Sequence, residues 1–290
     1  MKSNIDSLYS ESLAVVFYSY QMASNIKSKL LFIIQEYLDI VNTIFTTYAF
    51  NNGKLKKIVK KKNVVKMIFD FMDTHDFNNF FCFQINNDTL DKIHDSCFEL
   101  YISDFLSDVP NQIYFEFPIN SDISDIYSFM KNVCDLIDIE YACCNPIMSY
   151  NSLHYPISIA KSSQCALKKS LYNTKYSIYL NDSLLVHLNN HKIGMINLIQ
   201  FFSLNFNIEF SKENEIYCEK MENYSIISAL YLNGEDNEYK VEEFNALPED
   251  ILLKRYHSIN NILKNIITYD YERDIFFKKD VWNNWIKRFD

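Results

Sequence analysis

Leu13–Tyr20, LAVVFYSY, is the stretch around which the rest of the chain must be arranged. It is short, uncharged, and rich in β-branched and aromatic residues, which predicts a buried strand. A buried strand needs partners and a covering layer, and the residues that follow supply candidates for both. From Ile26, IKSKLLFIIQEYLDIVNTIF places Leu30, Ile33, Ile34, Tyr37, Val41 and Ile44 at spacings of three and four, a helix with one apolar face. Asn51-Asn52-Gly53 has turn chemistry and is read as its end. A second helical pattern runs through Met67, Ile68 and Phe71. Three segments then alternate at period two: Phe81, Phe83 and Ile85; Phe98, Leu100 and Ile102; Ile113, Phe115 and Phe117. Their close spacing predicts antiparallel pairing. Ser121 and Asp122 are capping candidates for a helix carrying Ile126, Phe129, Met130, Val133 and Ile137 on one face.

The second half is harder to read. Residues 141–192 hold Pro146 and Pro156 among short apolar runs. Ile193–Phe206, IGMINLIQFFSLNF, reads as a largely buried helix, and Ser225–Leu232 as a strand entering an NGED turn at Gly234. Pro248 opens a long helix with Ile251, Leu252, Tyr256, Ile259, Leu263 and Ile266 as its stripe. Tyr269–Phe277 is a candidate last strand, and DVWNNWIKRF, with Trp282 and Trp285, is read as a docked C-terminal helix. The fold class expected is α+β. Antiparallel or mixed sheets pack on helices, and two α+β halves, 1–140 and 141–290, form one compact body over residues 1–290.

Composition removes many functions. There are only three glycines, Gly53, Gly194 and Gly234, too few and too scattered for a P-loop or a dinucleotide fingerprint. Most nucleotide-using enzymes are thereby excluded, and the rest of the chain nominates no catalytic residue and no cofactor site. No apolar run reaches membrane-spanning length. The N-terminus, with Asp6 and Glu11 ahead of its apolar run, does not read as a signal peptide. Seven cysteines are spread along the chain, consistent with reduced thiols and a cytoplasmic location. The net charge of −9 is uneven: residues 86–140 hold 12 acids and 2 bases, and residues 209–250 hold 12 acids and 3 bases. Such blocks repel nucleic acid and anionic membrane and attract basic partners, although a merely solvated face is the commoner origin.

Each remaining constellation has a bland reading beside its chemical one. Lys54–Lys66, KLKKIVKKKNVVK, has seven lysines but no arginine and no aromatic, so a solvated loop outweighs a nucleic-acid site. His187 and His191, in HLNNH, have the spacing of two metal ligands on a helix but lack a third, and no metal site is assigned. The vicinal Cys143 and Cys144 have no CxxC partner and read as structural thiols. Carboxylate pairs such as Asp104 with Asp108 and Glu235 with Asp236 stand in polar settings that do not separate their pKa values.

Taken with their order along the chain, LAVVFYSY plus the following helix, NQIYFEFPIN, SIISALYLNGEDNEY and the ending VWNNWIKRFD resemble the type VI secretion immunity proteins, a polymorphic-toxin immunity family. The likeness spans nearly the whole chain as a layout of weak motifs. It implies a non-catalytic protein that binds and neutralises a cognate effector toxin by occluding its catalytic domain. An acidic inhibitor suits a basic toxin that acts in the cytoplasm. Asp104, Asp108, Glu235, Asp236 and Glu238 are the contacts this reading nominates. Two alternatives stay open: another protein-interaction module, viral or bacterial, and a nucleic-acid binder using Lys54–Lys66. Oligomeric state stays open as well.

Overall fold

The computed structural model describes residues 9–51, 54, 56–58, 63–87, 96–105, 110–150, 191–193, 196–210, 215–235 and 238–267. In chain order the elements are β1 (Tyr9–Ser19), α1 (Ala23–Val41), β2 (Thr47–Phe50), β3 (Lys56–Lys57), α2 (Val64–Thr74), β4 (Phe81–Asn86), β5 (Cys97–Ile102), β6 (Asn111–Pro118), α3 (Ile123–Leu136) and β7 (Tyr141–Tyr150). They continue with β8 (Ile199–Ser203), a 3₁₀ turn (Leu204–Phe206), β9 (Tyr217–Lys220), β10 (Tyr224–Ser228), β11 (Leu232–Glu235), β12 (Glu238–Val241), a second 3₁₀ turn (Phe244–Ala246) and α4 (Glu249–Leu263). One ten-stranded sheet has the order β3-β2-β4-β5-β6-β1-β7-β8-β10-β9, and β11 and β12 form a separate hairpin. Every pairing in both sheets is antiparallel. The fold class is α+β.

LAVVFYSY lies at the centre. β1 pairs with β6 on one side and β7 on the other, so both faces and both edges of the segment are inside, and Leu13 to Tyr18 are buried. The strand also bridges the expected halves, because β6 and β7 fall on either side of residue 140 and one sheet runs through both.

One face of the sheet is apolar. Val15, Phe115, Phe98 and Ile85 share a register row across β1, β6, β5 and β4, and Phe17, Ile113, Leu100 and Phe83 share another. On these rows sit Tyr37 of α1 and Phe129 of α3, with ring centroids 4.9 and 5.0 Å from that of Phe115. Phe71 of α2 stacks on Phe50 at 4.7 Å. Edge-to-face and tilted ring contacts of this kind add to area burial. The Tyr37 hydroxyl donates to the Glu116 carbonyl 2.6 Å away, so even its polar tip is used.

Around β1, β6, β7 and β8 the other face carries polar side chains that are still buried. Glu116 accepts hydrogen bonds from the hydroxyls of Ser12 and Tyr114. Further along, Tyr141 donates to Gln200 Oε1 at 3.0 Å and accepts from Asn197 Nδ2 at 2.6 Å. Asn145 Nδ2 donates to Asn197 Oδ1, and Asn145 Oδ1 accepts from the Leu198 N–H at 2.8 Å.

With glycine scarce, asparagine takes three of the four left-handed positions among the described residues. Asn42 ends α1 at φ 43°, Asn51 follows β2 at 47° and Asn207 follows the first 3₁₀ turn at 47°. Asparagine tolerates this region better than other residues with a Cβ. Asp122 caps α3 by accepting from the Ser124 N–H, as its position predicts.

Several sequence expectations are corrected. The first helix stops at Asn42 rather than at Asn51–Gly53, with β2 in between, and Ile44 is exposed instead of lying on the buried stripe. Within the expected helix Ile193–Phe206, Ile199–Ser203 form β8 and only Leu204–Phe206 turn, as a 3₁₀ segment, and the opaque stretch after 141 opens with β7. Gly234 lies inside β11 opposite Tyr239, so the chain reverses after it rather than at it. Ile251 faces outward on α4, where Arg255 instead is buried. The expected strand Tyr269–Phe277 and the docked helix with Trp282 and Trp285 lie outside the described residues.

Candidate interaction surface

The nominated acids do not form one cluster. Asp104 follows β5 in the large sheet, while Glu235 and Glu238 stand opposite each other in the β11–β12 hairpin. Asp108 and Asp236 lie outside the described residues. Asp104 has structural work to do. Its Oδ1 accepts from the Ser24 N–H at 2.7 Å, in the first turn of α1, whose own N-cap residue Met22 makes no side-chain cap bond. A carboxylate there satisfies an orphan donor and faces the positive end of the helix dipole. Sequence reading misses this because the cap comes from a strand end 80 residues away in the chain.

The hairpin is firmly mounted. The Val241 N–H donates to Ser124 Oγ at 3.1 Å, at the start of α3. At its base the Glu242 N–H donates to the Tyr231 carbonyl at 3.0 Å. Arg255 reaches from α4 to the Ala229 carbonyl at 2.8 Å and to both carboxylate oxygens of Glu242, with its guanidinium 4.4 Å from the centre of the Tyr231 ring. A planar guanidinium suits this combination of fork and stack better than a lysine would. Glu235 and Glu238 therefore extend from a base tied to two helices.

The other sequence candidates resolve into structure. His191 is not helical: it sits at φ 53° and its Nδ1 lies 3.0 Å from Glu140 Oε1. His187 lies outside the described residues. Among the described residues no group of three or more His, Cys, Asp or Glu has the arrangement to hold a metal ion. Cys143 and Cys144 are adjacent on β7 and point to opposite faces, both buried, and both are free thiols. Burial pushes the Cys143 thiol up to about 12, partly countered by its hydrogen bond with Tyr141, and raises Cys144 too. Such thiols are poor nucleophiles at neutral pH. Lys56 and Lys57 form β3, an edge of the large sheet, and are exposed; charged residues on an edge strand discourage further pairing. A small recess lined by Cys134, Asp138, Ile139, Phe201, Phe202, Asn223 and Tyr224 has room for about one water, with a volume of about 20 Å³.

These features define an α+β protein with a wide antiparallel sheet, helices on its apolar face and an acidic hairpin fixed at one side. A solved chain described as "Pseudomonas aeruginosa T6SS protein PA0821" has this fold, with a TM-score of 0.71 over 98% of this chain and 82% of that one, at 11% identity. At that identity the likeness speaks for the fold alone. No family model matches the chain, and no curated protein matches it. No helix among the described residues is long and apolar enough to cross a membrane.

Proposed function

We propose that the chain is a type VI secretion immunity protein that binds a cognate effector toxin in the cytoplasm and blocks its catalytic domain. The reading is carried by the whole-length fold likeness to a T6SS protein. It draws further support from the acidic composition, with a net charge of −9, which favours fast capture of a basic partner. The bonds at the base of the hairpin, from Val241 to Ser124 and from Arg255 to Glu242, suit an inhibitor, because a support already held in place loses little entropy on binding. The protein acts by occupancy and needs no catalytic group of its own.

The test is co-expression with the effector domain encoded beside its gene. Growth should be restored, and the two proteins should co-purify as a complex. Unrelieved killing, together with no complex between the purified proteins, would refute the reading.

A further inference from the structure

The acid-rich hairpin is not the part of the surface best equipped to anchor a partner. Tight interfaces are held by a few large side chains that become fully desolvated, ringed by polar groups that exclude water. The outer surface of the helical layer has that composition. Phe32 stands in the middle of α1 and is 72% exposed, although Leu30, Ile33, Ile34 and Tyr37 around it in sequence are buried. It therefore faces away from the core, on the crest of a helix that has α2 on one flank and α3 on the other.

Two bonds fix where it stands. Lys29 Nζ donates to the Leu136 carbonyl at 2.6 Å, and Asn132 Nδ2 donates to Glu36 Oε1 at 2.7 Å. Lys29 and Glu36 are one turn before and one turn after Phe32, so these links clamp α1 to α3 along the stretch that displays the ring. Leu136, 40% exposed, lies at the Lys29 end of the same seam. Toward α2, Lys27 bridges Asp73 at 2.9 Å and stands 5.6 Å over the ring of Phe69, itself 42% exposed. Three exposed apolar side chains thus come from three neighbouring helices on a scaffold braced by cross-helix bonds.

Charge decides among possible occupants. α1, α2 and α3 carry six acids (Glu36, Asp39, Asp70, Asp73, Asp125 and Asp135) against four lysines. Lys27 and Asp73 neutralise each other, which leaves five acids against three lysines. The charge left to a partner is negative, which disfavours an anionic lipid surface or nucleic acid and favours a protein with a basic rim around an apolar pocket.

We infer that the outer face of the α1–α2–α3 layer, with Phe32 as its anchor, is the surface that docks a basic effector domain. This rests on the immunity reading above. The probe is the catalytic domain of the effector encoded beside the gene, with affinity measured for the full chain, for Phe32→Ala and for Phe32→Asp. Leu204→Ala serves as control, since Leu204 is 42% exposed but lies in the first 3₁₀ turn, after β8 and outside the helical layer. The expected result is a loss of about thirty-fold or more for Phe32→Ala, a larger loss for Phe32→Asp, an unchanged control, and unchanged thermal midpoints throughout.

If wild type binds and the Phe32 variants bind equally well, the docking face is elsewhere and the immunity reading stands. If wild type neither binds nor protects, that reading falls and takes this one with it. A dimer of the chain alone that Phe32→Asp dissolves, or co-sedimentation with phosphatidylglycerol vesicles that it abolishes, would assign the face to a different occupant and overturn the proposal.

Discussion

The two faces of the sheet solve the same problem in opposite ways. Under α1 and α3, Tyr37 touches Phe45, Phe98, Phe115, Phe117 and Phe129, an aromatic cluster held by area and ring geometry. On the reverse face, around β7 and β8, Tyr141, Asn145, Asn197 and Gln200 are buried in a chain of amides and a hydroxyl. An aromatic cluster loses stability in proportion to the volume removed. A buried polar network fails through the partner left unpaired, so a change of one atom type can cost as much as the loss of a side chain. The first design is tolerant and the second is exacting. In the second, Gln200 Nε2 is buried with no hydrogen-bond partner among the described residues.

The largest effect should come from the aromatic side. Tyr37→Ala removes the ring that links α1 to β5 and β6, and should cost about 3–5 kcal/mol by chemical denaturation, as large-to-small core changes do. Tyr37→Phe keeps the ring and should cost about 1 kcal/mol. If the two cost the same, the cluster is held by the hydroxyl and the contrast between the faces disappears.

Next in size is Asn197→Leu. It keeps the branched heavy-atom skeleton but takes away the donor to the Tyr141 hydroxyl oxygen and leaves Asn145 Nδ2 without its acceptor, so the expected cost is about 2–4 kcal/mol. An Asn145→Leu/Asn197→Leu double variant should be more stable than the sum of the singles implies, with coupling above about 0.5 kcal/mol. Strict additivity would mean the two amides act independently.

Asp104→Ala tests a contact that belongs to neither face. Removing the acceptor for the Ser24 N–H should cost about 1 kcal/mol, the usual value of a helix cap. Asp104→Asn, which keeps an acceptor oxygen, should recover most of it. If Asp104→Ala instead weakens effector binding with stability unchanged, the residue is a contact as nominated.

The smallest effect at neutral pH, where it vanishes, is seen only at alkaline pH. Burial holds the Cys143 thiol at about 12 against an ordinary 9.0. The unfolded chain therefore loses this proton first, and stability contributed below pH 9 declines as pH rises toward 12. The slope is about 1.4 kcal/mol per pH unit for each such thiol. Cys143→Ala should flatten the alkaline limb of a stability–pH curve, and the native protein's Cys143 should resist a thiol reagent at pH 8. Rapid labelling of Cys143 in the native state would contradict its burial.

The same contrast explains what could be read in advance. β4, β5 and β6 have one apolar row under the helices, so Phe81, Phe83 and Ile85 and their partners alternate visibly. β8, IQFFS, is buried at every position, and a run buried on both faces has no alternation to separate it from a buried helix. β7 is hidden further by Pro146, which lies beyond Cys144, the last β7 residue paired to β8, so that neighbour does not need its missing N–H. In α4 the sequence pattern does not single out Arg255 as an inward residue, because what neutralises it, Glu242, comes from outside the helix. Of the candidate contacts, only the hairpin position of Glu235 and Glu238 was close to legible, through the turn chemistry beside them.

From the sequence alone come the α+β class, the buried central strand, the stripes of α1, α2 and α3, and the absence of glycine-rich nucleotide loops, since these depend on periodicity and residue type within a short window. The tertiary structure decided the strand order, the polar layer behind the sheet, the remote cap from Asp104, and the outward display of Phe32 on a braced helical layer. Each of those depends on which distant residue supplies the partner, and local pattern carries no record of that.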